Sequence, residues 1–238
     1  MASMRFDVLA ADLLPESPVA GRAEQLLILL HGWQDTPASM LQLARALRGA
    51  FAQALVLGPS GLVPRFPDDE SVIGPGPAAA GLADTLARLR EWVVAAQQAS
   101  GVGPAATALA GFGEGALAAL ELCSAFDGLA GRVLAFGGRY AALPTRAPEE
   151  TTIHLFHGAD DEVVPVAQAR AAIERLAALG GDATIDIAGH TGHVLAPVLV
   201  DCALHRLRTH IPARTWAAAL GAVPAAVRKA RERGSPTE

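Results

Sequence analysis

Short apolar runs alternate along the chain with longer segments whose apolar residues recur at helical spacing. The runs span 25–31, 54–58, 107–111, 132–137, 152–158 and 183–189. Several are continuously apolar, which is typical of strands buried on both faces of a parallel sheet. The helical segments span 37–51, 78–100, 114–126, 166–181 and 194–211. This alternation predicts the α/β class, with a mostly parallel, doubly wound sheet and helices on both faces.

The length of the chain and the lack of repeats or linkers predict a single domain over 1–238. With 238 residues, 51% of them hydrophobic, the chain can bury a large core. Residues 5–12 are a further candidate for an edge strand, and about 212–238 form a helical, basic C-terminal tail. The Pro- and Gly-rich segment 58–77 follows a strand end, where open α/β sheets bind ligands, so it is a candidate wall of a site.

Charge and composition narrow the functional classes. The net charge of −5 argues against a nucleic-acid partner, which would require a clustered basic surface. The basic run at 228–233 is interpreted as part of a solvated tail. Neither a signal peptide nor a membrane span of about 20 apolar residues is found, so we expect a cytoplasmic protein. Cys123 and Cys202 are interpreted as small buried hydrophobic residues, and a homodimer is compatible with the sequence without being implied by it.

A glycine-rich turn joins the third apolar run to the following helix. It reads Gly111-Phe112-Gly113-Glu114-Gly115. In a nucleophile elbow of the form G-x-S-x-G, small residues flank a central serine because strand and helix meet at a sharp angle. Here Gly113 stands at the centre, and the backbone N–H of Glu114 at the helix N-terminus can stabilise an oxyanion. A dinucleotide-binding turn is the weaker alternative, since the turn does not follow the first strand and no acidic residue follows at the required spacing.

Two further strand ends carry polar residues that suit this chemistry. His31-Gly32 lies between the first strand and Trp33, where the turn either aims a backbone N–H at an oxyanion or only reverses the chain. Asp161 follows the fifth strand and His193 follows the sixth, which is the acid-then-histidine order of α/β-hydrolases. Such an acid orients the imidazole, which accepts the proton of the nucleophile.

The chain has other side-chain nucleophiles and another histidine near these positions, and each fits the site less well. Cys123 lies two to three helical turns beyond the glycine turn, about 15 Å away at the helical rise, and Ser124 is no nearer. Ser60 and Ser71 lie in the irregular segment, and no feature places either beside His193. His190 is interpreted as a flank of the loop that carries His193.

The chain resembles the phospholipase/carboxylesterase family of α/β-hydrolases, which includes the acyl-protein thioesterases, and in particular a bacterial esterase branch. The resemblance is carried by LLILLHGWQDTPASM, SGVGPAATALAGFGEGALAALE, AFGGRYAALP, TTIHLFHGADDEVVP, GGDATIDIAGHTGHVL and ALHRLRTHIPARTWAAAL. It implies hydrolysis of short carboxylic esters or thioesters without a cofactor or a metal. It also implies an acid at Asp161, a base at His193, and an oxyanion hole formed by the N–H groups of Trp33 and Glu114.

The chain departs from the family pattern at two places. Gly113 occupies the position where the family has its nucleophilic serine, and the segment VPRFPDDES matches the family poorly. The first departure leads to two hypotheses: a serine-hydrolase scaffold that is inactive or nearly so as written, or a non-catalytic ligand-binding relative. The presence of Asp161, His193 and Gly115 favours the first.

Overall fold

The described part of the chain forms one six-stranded parallel sheet with helices on both faces. The computed structural model describes residues 23–32, 37–59 and 77–221. All neighbouring strands pair in parallel, in the order β2-β1-β3-β4-β5-β6. The predicted class is therefore confirmed. The strands are β1 (Gln25–Leu30), β2 (Ala54–Leu57), β3 (Thr107–Phe112), β4 (Arg132–Phe136), β5 (Thr152–Gly158) and β6 (Ala183–Ala188).

The continuous apolar runs arise because both faces of each central strand are covered. In β1, Leu26, Ile28 and Leu30 belong to one hydrophobic cluster, whereas Leu27 and Leu29 belong to the other. Side chains alternate between the faces of a strand, so a strand covered on both sides has few positions for polar residues.

The structure has six α-helices among the described residues. They are α1 (Leu41–Ala50), α2 (Pro77–Ser100), α3 (Glu114–Ala125), α4 (Val166–Ala178), α5 (Pro197–Thr209) and α6 (Ala213–Gly221). Buried residues of α2, α3 and α4 pack in the first cluster, and those of α1 and α5 pack in the second. The sheet thus lies between two helical layers.

The helix bounds differ from the sequence prediction where a turn or loop replaces the predicted end of a helix. The segment 37–51 begins as a 3-10 turn (Pro37–Met40) before α1 starts. Helix α5 begins at Pro197 rather than at Val194, because proline suits the first helical turn and the preceding residues form a tight turn. Helix α4 ends before Gly180, which has a φ of 75°, and the Gly181 N–H bonds back to the Leu176 carbonyl.

Several predictions fall outside the described residues. They concern the edge strand at 5–12, most of the loop at 58–77, Trp33, and the basic run at 228–233. The single-domain bounds 1–238 stay a prediction. Across the described ranges, no helix is both long enough and apolar enough to span a membrane.

Candidate active site

The candidate site lies where the strand order reverses direction. The chain passes from β1 to β2 on one side and then returns to β3 on the other side of β1. Connections that diverge in this way leave a crevice at the carboxyl ends of the two strands, where open α/β sheets bind ligands. His31 and Gly32 follow β1 at this edge, and Gly113 follows β3.

The turn from β3 into α3 has the geometry of a nucleophile elbow. Gly113, at its centre, has φ 57° and ψ −118°, a conformation that residues with a Cβ adopt only under strain. A Cβ on Gly111 would overlap the backbone of Gly115, and a Cβ on Gly115 would overlap the Leu30 carbonyl and lie 2.6 Å from the His31 oxygen. Glycine is therefore required on both sides of the centre so that α3 can pack closely against β1.

His193 and Asp161 form a hydrogen-bonded pair that faces this turn. The His193 Nδ1 lies 2.8 Å from the Asp161 Oδ2, although the residues are 32 positions apart. Because a carboxylate only accepts, Nδ1 carries a proton, so in the neutral imidazole it is Nε2 that presents a lone pair. An ideal Cβ on Gly113 would lie 3.5 Å from Nε2. A serine hydroxyl on that Cβ, with a tetrahedral angle at oxygen, would reach about 2.8 Å from Nε2, within hydrogen-bond range.

The carboxylate of Asp161 is buried and satisfied on both oxygens. The backbone N–H groups of Val163 and Val164 donate to Oδ1 at 3.0 and 2.8 Å. His157 approaches Oδ2 to 3.3 Å while its Nε2 lies 2.7 Å from the Val164 carbonyl oxygen. Both neighbours of that nitrogen are acceptors, so it carries a proton. These contacts hold the carboxylate in one orientation, in which Oδ2 can accept a hydrogen bond from His193 Nδ1.

Two residues that the sequence did not single out position the His193 ring. The Phe112 ring lies 4.7 Å from it, centroid to centroid, at an interplanar angle of 42°. Gly137, at the end of β4, has a φ of 54°, and a Cβ there would come within 3.2 Å of the His193 Nδ1 and Cε1. The glycine pair that follows β4 indicates a turn in the sequence but does not by itself indicate this close approach. His157 precedes Gly158 in β5 and gives no signal that separates it from a core histidine.

The remaining predicted residues are placed as follows. His190 is fully exposed and lies 4.0 Å from Asp160, which confirms its interpretation as a flank of the loop. Cys123 is fully buried in the core, and burial raises the pKa of its thiol to about 12. Cys202, in contrast, is only partly buried, so its predicted burial was wrong.

Glu114 is the first residue of α3, where the helix N-terminus carries a partial positive charge. Trp33, the other predicted oxyanion donor, lies outside the described residues. Within the described ranges, no group of three or more His, Cys, Asp or Glu residues could hold a metal ion.

Comparison with known proteins agrees with this geometry. Residues 76–211 match the family model for phospholipase/carboxylesterase, and this stretch includes the elbow, Asp161 and His193. The chain is also 39% identical over 208 residues to esterase YpfH of Escherichia coli K12, an alignment that covers 83% of this chain and 86% of that protein. The chain belongs to the phospholipase/carboxylesterase family.

Solved structures show the fold of this phospholipase/carboxylesterase family member. The crystal structure of esterase PE8 matches 81% of this chain and 95% of its own, with a TM-score of 0.71 and 27% identity. A phospholipase/carboxylesterase from Dyadobacter fermentans matches 77% of this chain and 90% of its own, with a TM-score of 0.63 and 21% identity. The chain therefore has the α/β-hydrolase fold.

Proposed function

We propose that the site binds small carboxylic esters or thioesters and that Gly113 replaces the nucleophile which would cleave them. The observation that carries this proposal is the alignment of three groups. His193 directs Nε2 at the position of a Cβ on Gly113, 3.5 Å away, and holds Asp161 at 2.8 Å with its other nitrogen. The name of the Escherichia coli relative, an esterase, supports the same class of substrate.

The roles of the residues follow from a serine placed at position 113. Its hydroxyl oxygen attacks the carbonyl carbon while His193 Nε2 accepts the proton, and Asp161 stabilises the resulting imidazolium. The N–H of Glu114, at the start of α3, faces the developing oxyanion, and Trp33 is proposed as the second donor on the family resemblance alone. His193 then donates the proton to the leaving alkoxide or thiolate. With Gly113 the covalent step has no nucleophile, so the chain as written forms no acyl-enzyme.

A non-catalytic, ligand-binding role is the second candidate, and Gly113 itself favours it. Such a protein would use the crevice and the oxyanion donors to bind a carbonyl compound without cleaving it. The two roles differ in what the rest of the site must do. A site that only binds a ligand does not require a base aligned with the elbow. The His193–Asp161 pair is nevertheless fully assembled, which favours the hydrolase proposal.

The variant Gly113→Ser tests the proposal directly. Loss of the serine from a triad lowers kcat by about 10⁶, so restoring it should convert a chain with little turnover into an esterase. We expect Gly113→Ser to hydrolyse p-nitrophenyl acetate or butyrate and to react with a fluorophosphonate, and the parent chain to do neither at a comparable rate. The matched control is Gly113→Ser combined with His193→Ala, which should lose both activities.

A well-folded Gly113→Ser variant that is inert toward short esters, thioesters and the fluorophosphonate would refute the hydrolase proposal. Strong labelling of the parent chain would show instead that another residue is the nucleophile. The lack of a cofactor and of a nucleic-acid partner and the cytoplasmic location stay predictions, and the sequence is compatible with a homodimer without implying one.

A further inference from the structure

Among the described residues, the surroundings of Gly113 leave room for a small hydroxyl compound beside His193. Apart from its chain neighbours, the described residues place only two atoms within 4 Å of an ideal Cβ on Gly113. These are the His193 Nε2 at 3.5 Å and its Cε1 at 4.0 Å. Both are ordinary van der Waals distances, so neither ring atom has to move to accommodate a small group. Because glycine has no Cβ, this volume is accessible to a molecule that is not covalently attached.

The same volume borders Nε2 of His193, a basic atom. Nδ1 of His193 donates to Asp161, so in the neutral imidazole Nε2 is an acceptor, and a hydroxyl compound beside it donates its proton there. A free oxygen must stay about 3.2 Å from the Gly113 Cα, nearly 1 Å further out than a serine hydroxyl, and can still approach Nε2 to about 2.8 Å.

We propose that in the chain as written water, or a small primary alcohol, replaces the serine and that the acyl group is transferred in a single displacement. This inference rests on the proposed function, since it requires that an ester binds in the crevice. The oxygen of the water or alcohol bonds to the carbonyl carbon, and its proton passes to His193 Nε2. The tetrahedral oxyanion then collapses, the bond to the leaving oxygen breaks, and the leaving group takes that proton. Water yields a carboxylic acid, an alcohol yields a new ester, and no bond to the protein forms.

Glycine suits this reaction better than any other residue with a non-nucleophilic side chain. Alanine would put its Cβ 3.5 Å from Nε2, where it competes for space with a hydroxyl that must approach the same nitrogen. Alanine would also be strained at φ 57°. The inference therefore predicts that the chain with Gly113 is more active than Gly113→Ala, although neither side chain is a nucleophile.

The dependence of the rate on His193 distinguishes this reaction from the residual catalysis of a triad that lacks its nucleophile. In a triad without its nucleophile, the residual rate comes from the oxyanion hole and from binding and does not require the histidine. General-base catalysis contributes about 10² to 10⁴ in rate when the base is positioned on the attacking group. We therefore expect His193→Gln to lower the rate of the parent chain at least ~10-fold, with the parent still far below Gly113→Ser.

The experiment compares four purified proteins: the parent chain, Gly113→Ala, His193→Gln and Gly113→Ser. Each is incubated with p-nitrophenyl acetate, with and without methanol, while p-nitrophenol release is followed and methyl acetate is quantified by gas chromatography. Intact-mass spectrometry checks for an acyl adduct. In the parent chain we expect turnover that rises with methanol, methyl acetate as a product, and no adduct. The rate of turnover and the yield of methyl acetate should each fall at least ~10-fold in His193→Gln, and also in Gly113→Ala if that variant folds.

The outcomes distinguish this inference from the function on which it rests. Equal rates in the parent chain and His193→Gln, with an active Gly113→Ser, overturn the single displacement but leave the esterase proposal standing. An acyl adduct on the parent chain also overturns it, because the reaction then passes through a protein nucleophile. If both the parent chain and Gly113→Ser are inert, the inference and the proposed function fail together.

Discussion

Replacing His154 by glutamine is expected to make the stability of the fold less sensitive to acid. His154 lies in β5 and is fully buried, with its Nε2 3.0 Å from an Arg132 guanidinium nitrogen and its Nδ1 2.8 Å from the Thr184 hydroxyl. Since a guanidinium only donates, Nε2 is the acceptor and the imidazole is neutral. A proton on Nε2 would point at a positive charge in the interior of the protein.

Burial is the largest reason that the pKa of His154 is low, and the charges of Arg132 and His210 act in the same direction. Together with a smaller contribution from Arg206, and against an opposing one from Asp182, they lower the pKa from 6.5 to about 3. Between those two values the unfolded chain binds a proton that the folded chain does not. The free energy of unfolding therefore falls as the pH drops below 6.5 and is unaffected by this group above it.

The size of the effect depends on how far the pH lies below the pKa of the histidine in the unfolded chain. At pH 5 the histidine of the unfolded chain is 1.5 pH units below its pKa, and at ~1.36 kcal/mol per unit this removes about 2 kcal/mol of stability. The result is insensitive to the folded pKa as long as that value stays below 5. Glutamine can accept from Arg132 and donate to Thr184 but does not titrate, so His154→Gln should lose about 2 kcal/mol less than the parent between pH 7 and pH 5.

Urea unfolding followed by circular dichroism at pH 7 and at pH 5 measures this difference. The comparison is between pH values within each protein, so a lower stability of His154→Gln at pH 7 does not affect it. His190→Gln is the matched control, because that imidazole is fully exposed, and it should respond to pH as the parent does. Equal acid losses in His154→Gln and the parent would refute the assignment of a neutral, buried imidazole.

Two further predictions concern the elbow and the thiols. A Cβ on Gly113 makes no clash, so strain of about 1–3 kcal/mol at φ 57° outweighs the ~0.4–1 kcal/mol gained by replacing glycine. Gly113→Ala should therefore unfold at a lower urea concentration than the parent. Gly113→Ser should lie between the two, because its hydroxyl can form a hydrogen bond with His193, and a serine variant less stable than the alanine variant would contradict this. Ellman's reagent should modify the partly exposed Cys202 in the native protein but reach Cys123, whose pKa burial raises to about 12, only after unfolding; equal native rates would show that Cys123 is accessible.

The order of strands and helices was predictable because it depends on local patterns. The run 152–158 coincides with β5, and the other strands differ from their predicted ends by one residue. The larger error came at α5, where apolar residues continue upstream through Val194 and Leu195. There the chain is held in a turn by bonds from the Val194 N–H to the Gly192 carbonyl and from the Ala196 N–H to the Val194 carbonyl. Periodicity cannot separate such a turn from a helical start.

The candidate site was predictable in its principal residues but not in its supporting contacts. Gly113, Asp161 and His193 each follow an apolar strand, and their order along the chain matches a known constellation. His157 and Gly137 have no such signal. A histidine within a buried strand resembles any core histidine, and a glycine after a strand resembles any turn. Their roles become visible only when the Asp161 carboxylate and the His193 ring are in place beside them.

The amino-acid pattern alone determines that this chain builds a parallel α/β sheet and that its elbow has no side-chain nucleophile, since both follow from residue types at positions close in sequence. Tertiary structure decides which strands become neighbours and hence where the crevice lies. It also brings the Asp161 carboxylate to the His193 ring, whereas Asp160 lies 4.0 Å from the exposed His190. Asp160 and Asp161 are neighbours in the sequence, but the folded backbone buries the side chain of Asp161 and exposes most of that of Asp160. Only the packed loops bring one carboxylate and one imidazole, 32 residues apart, to 2.8 Å beside Gly113.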